Sequence, residues 1–234
     1  MLFQSLYANT FTHWSFETSA STNNINGSGS TLSGINPDGG YPGTASAFHS
    51  SAATTWSLAS GNGSPNSWMA DNWNKGDYFE FEASISSDFR SFYLGISFDL
   101  VGSLTAPNLF ELEFSTDGTN FSQIGDRYYG ISSSPTWNPI IESGAMNQFF
   151  ENDDIAETGN LQTYYFRFVD QADTKGGAIN GGDVTADGTL QIDNFTIYGT
   201  IPEPSGNTLA IFGGLFLLGF PALRKKDDRK KDSY

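Results

Sequence analysis

A period of two runs through the middle of the chain and sets its fold class. From Tyr78 to Ser86, Phe79, Phe81, Ala83 and Ile85 alternate with Glu80, Glu82 and Ser84. From Ser91 to Val101, Phe92, Leu94, Ile96, Phe98 and Leu100 repeat the pattern, and Phe110, Leu112 and Phe114 alternate with Glu111 and Glu113. Successive side chains of a strand point to opposite faces, so each stretch reads as a strand with one buried and one solvated face. Ser115-Thr116-Asp117-Gly118-Thr119-Asn120 follows the third stretch, and Asp-Gly between alternating segments is a strong hairpin signal; the return strand starts at Phe121 to Ile124. Tyr164, Phe166 and Phe168 against Tyr165, Arg167 and Val169 make a further strand.

The flanks are less regular. Phe11, Trp14 and Phe16 predict a first strand from Thr10 to Glu17, with Glu17 at its end. Thr18 to Tyr41 is dominated by Ser, Thr, Asn and Gly and reads as a long loop. A strand is expected around Thr54 to Leu58, then a turn at Gly61-Asn62-Gly63-Ser64-Pro65-Asn66. Pro135 and Pro139 bracket Trp137 in an irregular region, Met146 to Phe150 fits a short helix or a strand, and Asp170 to Gly188 is a Gly/Asp-rich loop. In the last strand, Thr189 to Tyr198, Leu190 and Ile192 share one face while Phe195 and Ile197 are out of phase. A β-bulge at Asp193-Asn194 restores the alternation. With 20 Phe to fill a core, the expectation is an all-β protein. It is an antiparallel two-sheet β-sandwich, jelly-roll-like, of eight or nine strands over residues 8–200, followed by one short C-terminal hydrophobic helix within 201–234.

Catalytic signatures are sparse. The only histidines, His13 and His49, have no metal-ligand spacing and are expected in loops or at the surface. No G-x-S-x-G elbow occurs, and the absence of cysteine excludes disulfides, thiolate zinc sites and a Cys nucleophile. Glu80, Glu82, Glu111 and Glu113 sit on the polar faces of alternating strands, where a solvated face is the default. The chain therefore reads as not an enzyme, and a carboxylate pair acting on glycosides is the least favoured alternative.

Two binding chemistries fit better. Calcium takes six to eight oxygens from carboxylates and loop carbonyls. Glu17 and Asp193, with carbonyls near Asn23 to Gly27, are the metal candidates, and Asp173, Asp183 and Asp187 are a second set. The competing reading is a carboxylate that hydrogen-bonds a neighbouring loop. Sugar binding would use aromatic rings. Trp56, Trp68, Trp73 and Trp137 lie in or beside predicted loops, and Tyr128-Tyr129 adds two more rings; Trp68, Trp73 and Trp137 are the ligand-binding candidates, unless these rings plug the ends of the sandwich.

Charge divides the chain. Residues 1–200 hold five Lys and Arg against 22 Asp and Glu, a formal −17, and residues 201–234 hold six against four, or +2. The acidic body argues against nucleic acid as a partner. In the tail, Ile201-Pro202-Glu203-Pro204-Ser205 makes a stiff connector, Leu209 to Leu223 is an uncharged apolar run, and Arg224-Lys225-Lys226 follows directly. Basic residues after an apolar helix place that end in the cytoplasm and the body on the other side of the membrane. The run spans about 22 Å as helix against about 30 Å of hydrocarbon, which suits a temporary hold. Met1 to Ala8 has no basic residue and a short apolar core, so the export leader such a protein needs is expected to begin upstream of Met1.

This tail resembles the PEP-CTERM sorting signal of bacterial exported proteins, through Pro202-Glu203-Pro204-Ser205, the run Leu209–Leu223, and Arg224-Lys225-Lys226 with Arg229-Lys230-Lys231. Pro221 late in the run, and Asp227 and Asp228 diluting the basic end, depart from that pattern. The resemblance implies a membrane-embedded exosortase as partner, cleavage near the Pro-Glu-Pro, membrane anchoring through the C-terminal helix, and delivery to the cell surface or matrix. The body is similar to β-sandwich ectodomains found upstream of such signals, through Gly76 to Phe81, Phe98-Asp99, Phe114 to Phe121 and Leu190 to Phe195. Phe16-Glu17 with Ile192-Asp193 also resembles jelly-roll binding modules of the galactose-binding-like and MAM type, which implies that first and last strands lie close and can share a structural calcium. The functional expectation is an exported, non-catalytic surface or matrix protein that binds polysaccharide or another envelope component. A purely structural or adhesive protein is the alternative.

Overall fold

The computed structural model describes residues 9–86, 91–131, 133, 136–142, 150–151 and 161–200. In chain order the strands are β1 (Asn9–Trp14), β2 (Gly27–Ser28), β3 (Thr31–Ile35), β4 (Gly39–Gly40), β5 (Gly43–Phe48), β6 (Thr55–Ala59), β7 (Ser67–Ala70) and β8 (Tyr78–Ser86). They continue with β9 (Ser91–Gly102), β10 (Leu109–Ser115), β11 (Ser122–Gly130), β12 (Asn138–Glu142), β13 (Phe150–Glu151), β14 (Leu161–Asp170) and β15 (Leu190–Thr200), and α1 (Ser19–Thr22) is a single turn.

These strands form two antiparallel sheets. One runs β12-β9-β15-β7-β6-β2, with β1 paired to the second half of β15, β4 on β1, and β13 on β9. The other runs β11-β10-β14-β8-β5-β3. The chain is thus the antiparallel β-sandwich that the alternation predicts.

The alternating stretches become the long central strands, and their apolar positions face one another across the sandwich. Phe79, Phe81, Ala83 and Ile85 of β8 are buried, as are Phe110, Leu112 and Phe114 of β10 and Phe166 and Phe168 of β14. Opposite them lie Ile96, Phe98 and Leu100 of β9 and Leu190, Ile192, Phe195 and Ile197 of β15. The rings of Phe81 and Phe195 stack across the two sheets at 3.7 Å and 5°. Burying one such ring contributes roughly 2–3 kcal/mol of transfer free energy. Phe195 reaches this position because of the expected bulge. Pairing to β9 slips one residue between Asp193 and Thr196, and Asn194 adopts φ 52°. That left-handed conformation suits Asn.

The flanks depart from expectation. The loop predicted over Thr18–Tyr41 contains α1 and three short strands, so there are fifteen strands among the described residues rather than eight or nine. β3 is an edge strand in which only Ile35 is fully buried, and β2 and β4 have two residues each. Edge strands with one buried side chain show no hydrophobic period. The first strand also ends at Trp14, not Glu17: Phe16 turns inward at φ 58° with its ring fully buried. Asp38 holds this reversal, its carboxylate accepting from the N–H groups of Ser15 and Phe16 at 2.6 and 2.9 Å and from Ser21 Oγ at 2.7 Å.

Among the described residues no helix is long and apolar enough to cross a membrane. The Pro202–Ser205 motif, the apolar run Leu209–Leu223, its expected helix, and Arg224, Lys225 and Lys226 lie outside the described residues, as does Met146.

Candidate functional site

Inward-facing residues of the large sheet make the core, so the residues between them make its outer face. Register fixes which these are. Gln191, between buried Leu190 and Ile192, stands opposite Val101 on β9 and Met69 on β7, and Met69 stands opposite Ser57 on β6. Asn138 opens β12 opposite Leu100, which brings Trp137 alongside Val101. A cleft of about 570 Å³ lies over this row, lined by Val101, Gln191 and half-buried Trp137, and walled by Ser60, Gly61, Asn62 and Gly63.

The wall is held by two carboxylates. Asp193 Oδ2 accepts hydrogen bonds from Asn62 N–H at 2.8 Å and Ser64 Oγ at 3.0 Å. Glu17 Oε1 accepts from Asn66 N–H at 2.8 Å. Residue 61 must be glycine for the wall to approach so closely, since a Cβ there would lie 2.5 Å from Asp193 Oδ2 and 2.2 Å from the Asn66 carbonyl. Burial pushes the Asp193 carboxyl up to about 6, its hydrogen bonds oppose this, and the neighbouring Asp99 adds to the rise.

The first and last strands of the sandwich do approach each other, and Glu17 and Asp193 meet at one loop. The oxygens named for a cation serve backbone N–H and hydroxyl donors of that loop. Among the described residues no group of three or more His, Asp or Glu stands close enough to hold a metal ion. Of the second set, Asp173 pairs with Lys75 at 3.3 Å and Asp183 accepts from Gly176 N–H at 3.2 Å.

The tryptophans separate sharply. Trp68 is fully buried and Trp73 is 3% exposed, so neither offers a ring face to a sugar. Trp68 packs on Phe79 at 4.5 Å and Trp73 on Phe110 at 5.5 Å. This corrects the expectation of a platform at these two positions: proximity to loops concealed that Trp68 occupies an inward register position in β7 and that Trp73 caps the core. Trp56 is buried as well, and His49, expected near the surface, is fully buried between Trp56 and Trp73. Trp137 alone of the expected ligand-binding rings lines a cleft. Tyr128 and Tyr129 fall in β11, and their side chains lie outside the described residues.

Sequence reasoning passed over Gln191, Asn62 and Ser60. Gln191 was readable as outward-facing from the alternation around it. Ser67 Oγ donates to its Oε1 at 3.1 Å, which turns the Nε2 donors to other partners.

The outer face of the six-stranded sheet has a different character. Register aligns Glu113, Arg167, Glu80 and Ser46 across four strands, and Ser115, Tyr165, Glu82 and Thr44 in the next row. Arg167 Nε donates to Glu80 Oε2 at 2.7 Å. Its guanidinium lies between two rings, 4.2 Å from the centroid of Tyr78 and 3.7 Å from that of Phe121. Phe48 continues the row at 5.7 Å from Tyr78 and is 39% exposed. Burial first and the neighbouring Glu80 second raise the Glu82 carboxyl; burial and Glu111 do the same for Glu113, against the pull of Arg167.

The fold defines a class, the antiparallel β-sandwich with an open cleft on one sheet and a ringed face on the other. Among solved structures, the chain is similar to the family 11 carbohydrate-binding module of a cellulosomal cellulase of Clostridium thermocellum, at 15% identity over 86% of this chain and 99% of that one, with a TM-score of 0.38. It is similar to the tandem CBM22 domain of a Paenibacillus barcinonensis protein, at 12% identity, 86% and 48% coverage and a TM-score of 0.44. A third, the CBM61 module in complex with β-1,4-galactotriose, shows 13% identity, 67% and 87% coverage and a TM-score of 0.35. No protein-family model matches the chain. No curated protein matches it.

Proposed function

We propose that this chain is an exported, non-catalytic protein whose β-sandwich binds a neutral polysaccharide in the cleft beside Trp137. One observation carries the reading: the cleft is lined by an indole, a carboxamide on its floor, a second carboxamide and a hydroxyl on its wall, and no titratable side chain among the described residues. Indole rings stack on the apolar faces of pyranoses, and amides and hydroxyls exchange hydrogen bonds with their hydroxyl groups. General acid–base chemistry needs a group that titrates, and the described residues of this lining supply none. The volume suits two or three sugar rings.

The test is a polysaccharide array followed by titration calorimetry with Trp137→Ala and Gln191→Ala. Both variants should keep the thermal midpoint of the parent and lose glycan binding. Absence of binding to every neutral glycan would overturn the reading in favour of a purely structural or adhesive protein. Delivery to the envelope is assigned to the tail, on the order of Pro202-Glu203-Pro204, apolar run and basic end. Replacing Pro202 and Pro204 by Ala should abolish C-terminal processing, read by intact mass of the surface-released protein.

A further inference from the structure

We infer that the outer face of the six-stranded sheet is a second binding site, for a polymer of amino sugars, with pyranose rings stacked at the Phe48–Tyr78 end and their ammonium groups paired with Glu82 and Glu113. This goes beyond the cleft and does not rest on it, because the two surfaces belong to different sheets.

The rings come first. Phe48, Tyr78, the Arg167 guanidinium and Phe121 form a continuous stack across the sheet, and it ends in an exposed phenyl ring. Large apolar side chains at the surface are uncommon in the described residues, where only Phe48, Leu104 and Leu161 are markedly exposed. Sandwiching fixes the Arg167 plane and the Tyr78 ring before any ligand arrives, so little side-chain entropy remains to be lost on binding. Phe48, the exposed end of this fixed row, offers its ring as a stacking surface for a pyranose.

The charge then selects among sugars. Arg167 neutralises Glu80. Glu82 lies beside Glu80 two residues along β8, and Glu113 lies across from Arg167 on β10, yet among the described residues neither carboxylate accepts a hydrogen bond or forms an ion pair. Both are only half exposed. The one cation on this face among the described residues, Arg167, is already bonded to Glu80 and only partly offsets Glu113. Carboxylates held partly out of water in excess of cations are complementary to a cationic ligand. The same field repels uronate-bearing and sulfated chains and the phosphates of nucleic acids. Rings for the sugar and carboxylates for the amine select an amino-sugar polymer over a neutral or anionic one.

The test is titration of the full chain with two β-1,4-linked hexasaccharides, fully deacetylated and fully N-acetylated glucosamine, at low ionic strength. The deacetylated hexamer should bind about tenfold more tightly, and the Glu82→Gln/Glu113→Gln double variant should remove most of that preference. Phe48→Ala should weaken both hexamers severalfold. The same preference should persist when both hexamers are titrated in a Trp137→Ala background, where the cleft no longer contributes, so failure here and failure of the cleft reading are separable. Equal affinity for the two hexamers would overturn the inference. So would displacement by hexalysine of equal potency combined with indifference to Phe48→Ala, which would mark a surface for basic peptides. Because these side chains are partly exposed, thermal midpoints within a degree or two of the parent should accompany every variant, and a Phe48→Leu variant tests the ring with apolar volume retained.

Discussion

Asp193 accepts a hydrogen bond from the Asn62 N–H at 2.8 Å, tying the last strand to a loop 131 residues earlier in the chain. The same carboxylate accepts from Ser64 Oγ and from Asn194 N–H, so one buried group holds both the cleft wall and the bulge that sets the register of β15.

Asp193→Ala should therefore destabilise the fold by about 2–3 kcal/mol, since it removes a buried acceptor shared by three donors, and should weaken glycan binding through the wall as well. The readouts are the urea midpoint and calorimetry. EDTA should leave the midpoint of the parent unchanged, because backbone amides and a hydroxyl already occupy the Asp193 and Glu17 oxygens. A fall on chelation would place a cation at this loop.

Trp68→Ala and Trp73→Ala should each cost about 3–5 kcal/mol of stability, with any loss of binding following from unfolding. Trp137→Ala should do the reverse, sparing the midpoint and removing binding. Circular dichroism melts beside glycan titrations separate the two outcomes.

Burial pushes Asp170, at the end of β14, up to about 7, with the nearby Asp77 adding to the rise and the Ala172 N–H opposing it. A carboxyl raised above its unfolded value contributes stability that is full below the unfolded pKa of about 4 and is lost as pH rises through the folded value. Asp170→Asn, which keeps the acceptor for Ala172 N–H, should therefore gain on the parent by up to about 1.4 kcal/mol per pH unit between about pH 4 and pH 7. Buried His49, lowered to about 3 by burial, works in the opposite sense: its contribution is full above about 6.5 and is lost as pH falls through 3. The difference in midpoint between variant and parent, followed against pH, isolates the Asp170 share. A difference independent of pH would refute the assignment.

Asn194→Val should cost about 1–2 kcal/mol, because a β-branched residue resists φ 52° and the hydrogen bond from Asn194 Nδ2 to Asp99 Oδ2 at 2.8 Å is lost. Asn194→Gly should be milder, losing only the hydrogen bond. Equal costs in chemical denaturation would show that backbone conformation is not what this position selects.

Legibility followed burial on one face. Where a strand is long, with one face in the core, as in β8, β9 and β10, the alternation of Phe with Glu or Ser announced strand, boundaries and orientation. The bulge was readable too, since a one-residue slip in β15 would send Phe195 and Ile197 to the solvent side. β2, β3 and β4 left no such trace, because their few residues carry Gly, Ser and Thr and little apolar surface. Trp68 and Trp73 misled for a related reason. Composition records that a ring lies near a turn but not which way its Cβ points.

By itself, then, the sequence determined the sandwich class, the inward phenylalanines, the outward glutamates and the bulge, all of which follow from local periodicity and the cost of exposing apolar area. Only the tertiary structure decided which tryptophan reaches a cleft, that Gln191 and Asn62 share it with Trp137, and that Arg167 is clasped between Tyr78 and Phe121. Each of these depends on pairing between strands far apart in the chain, and cross-strand register is a property of the assembled sheet that no local pattern encodes.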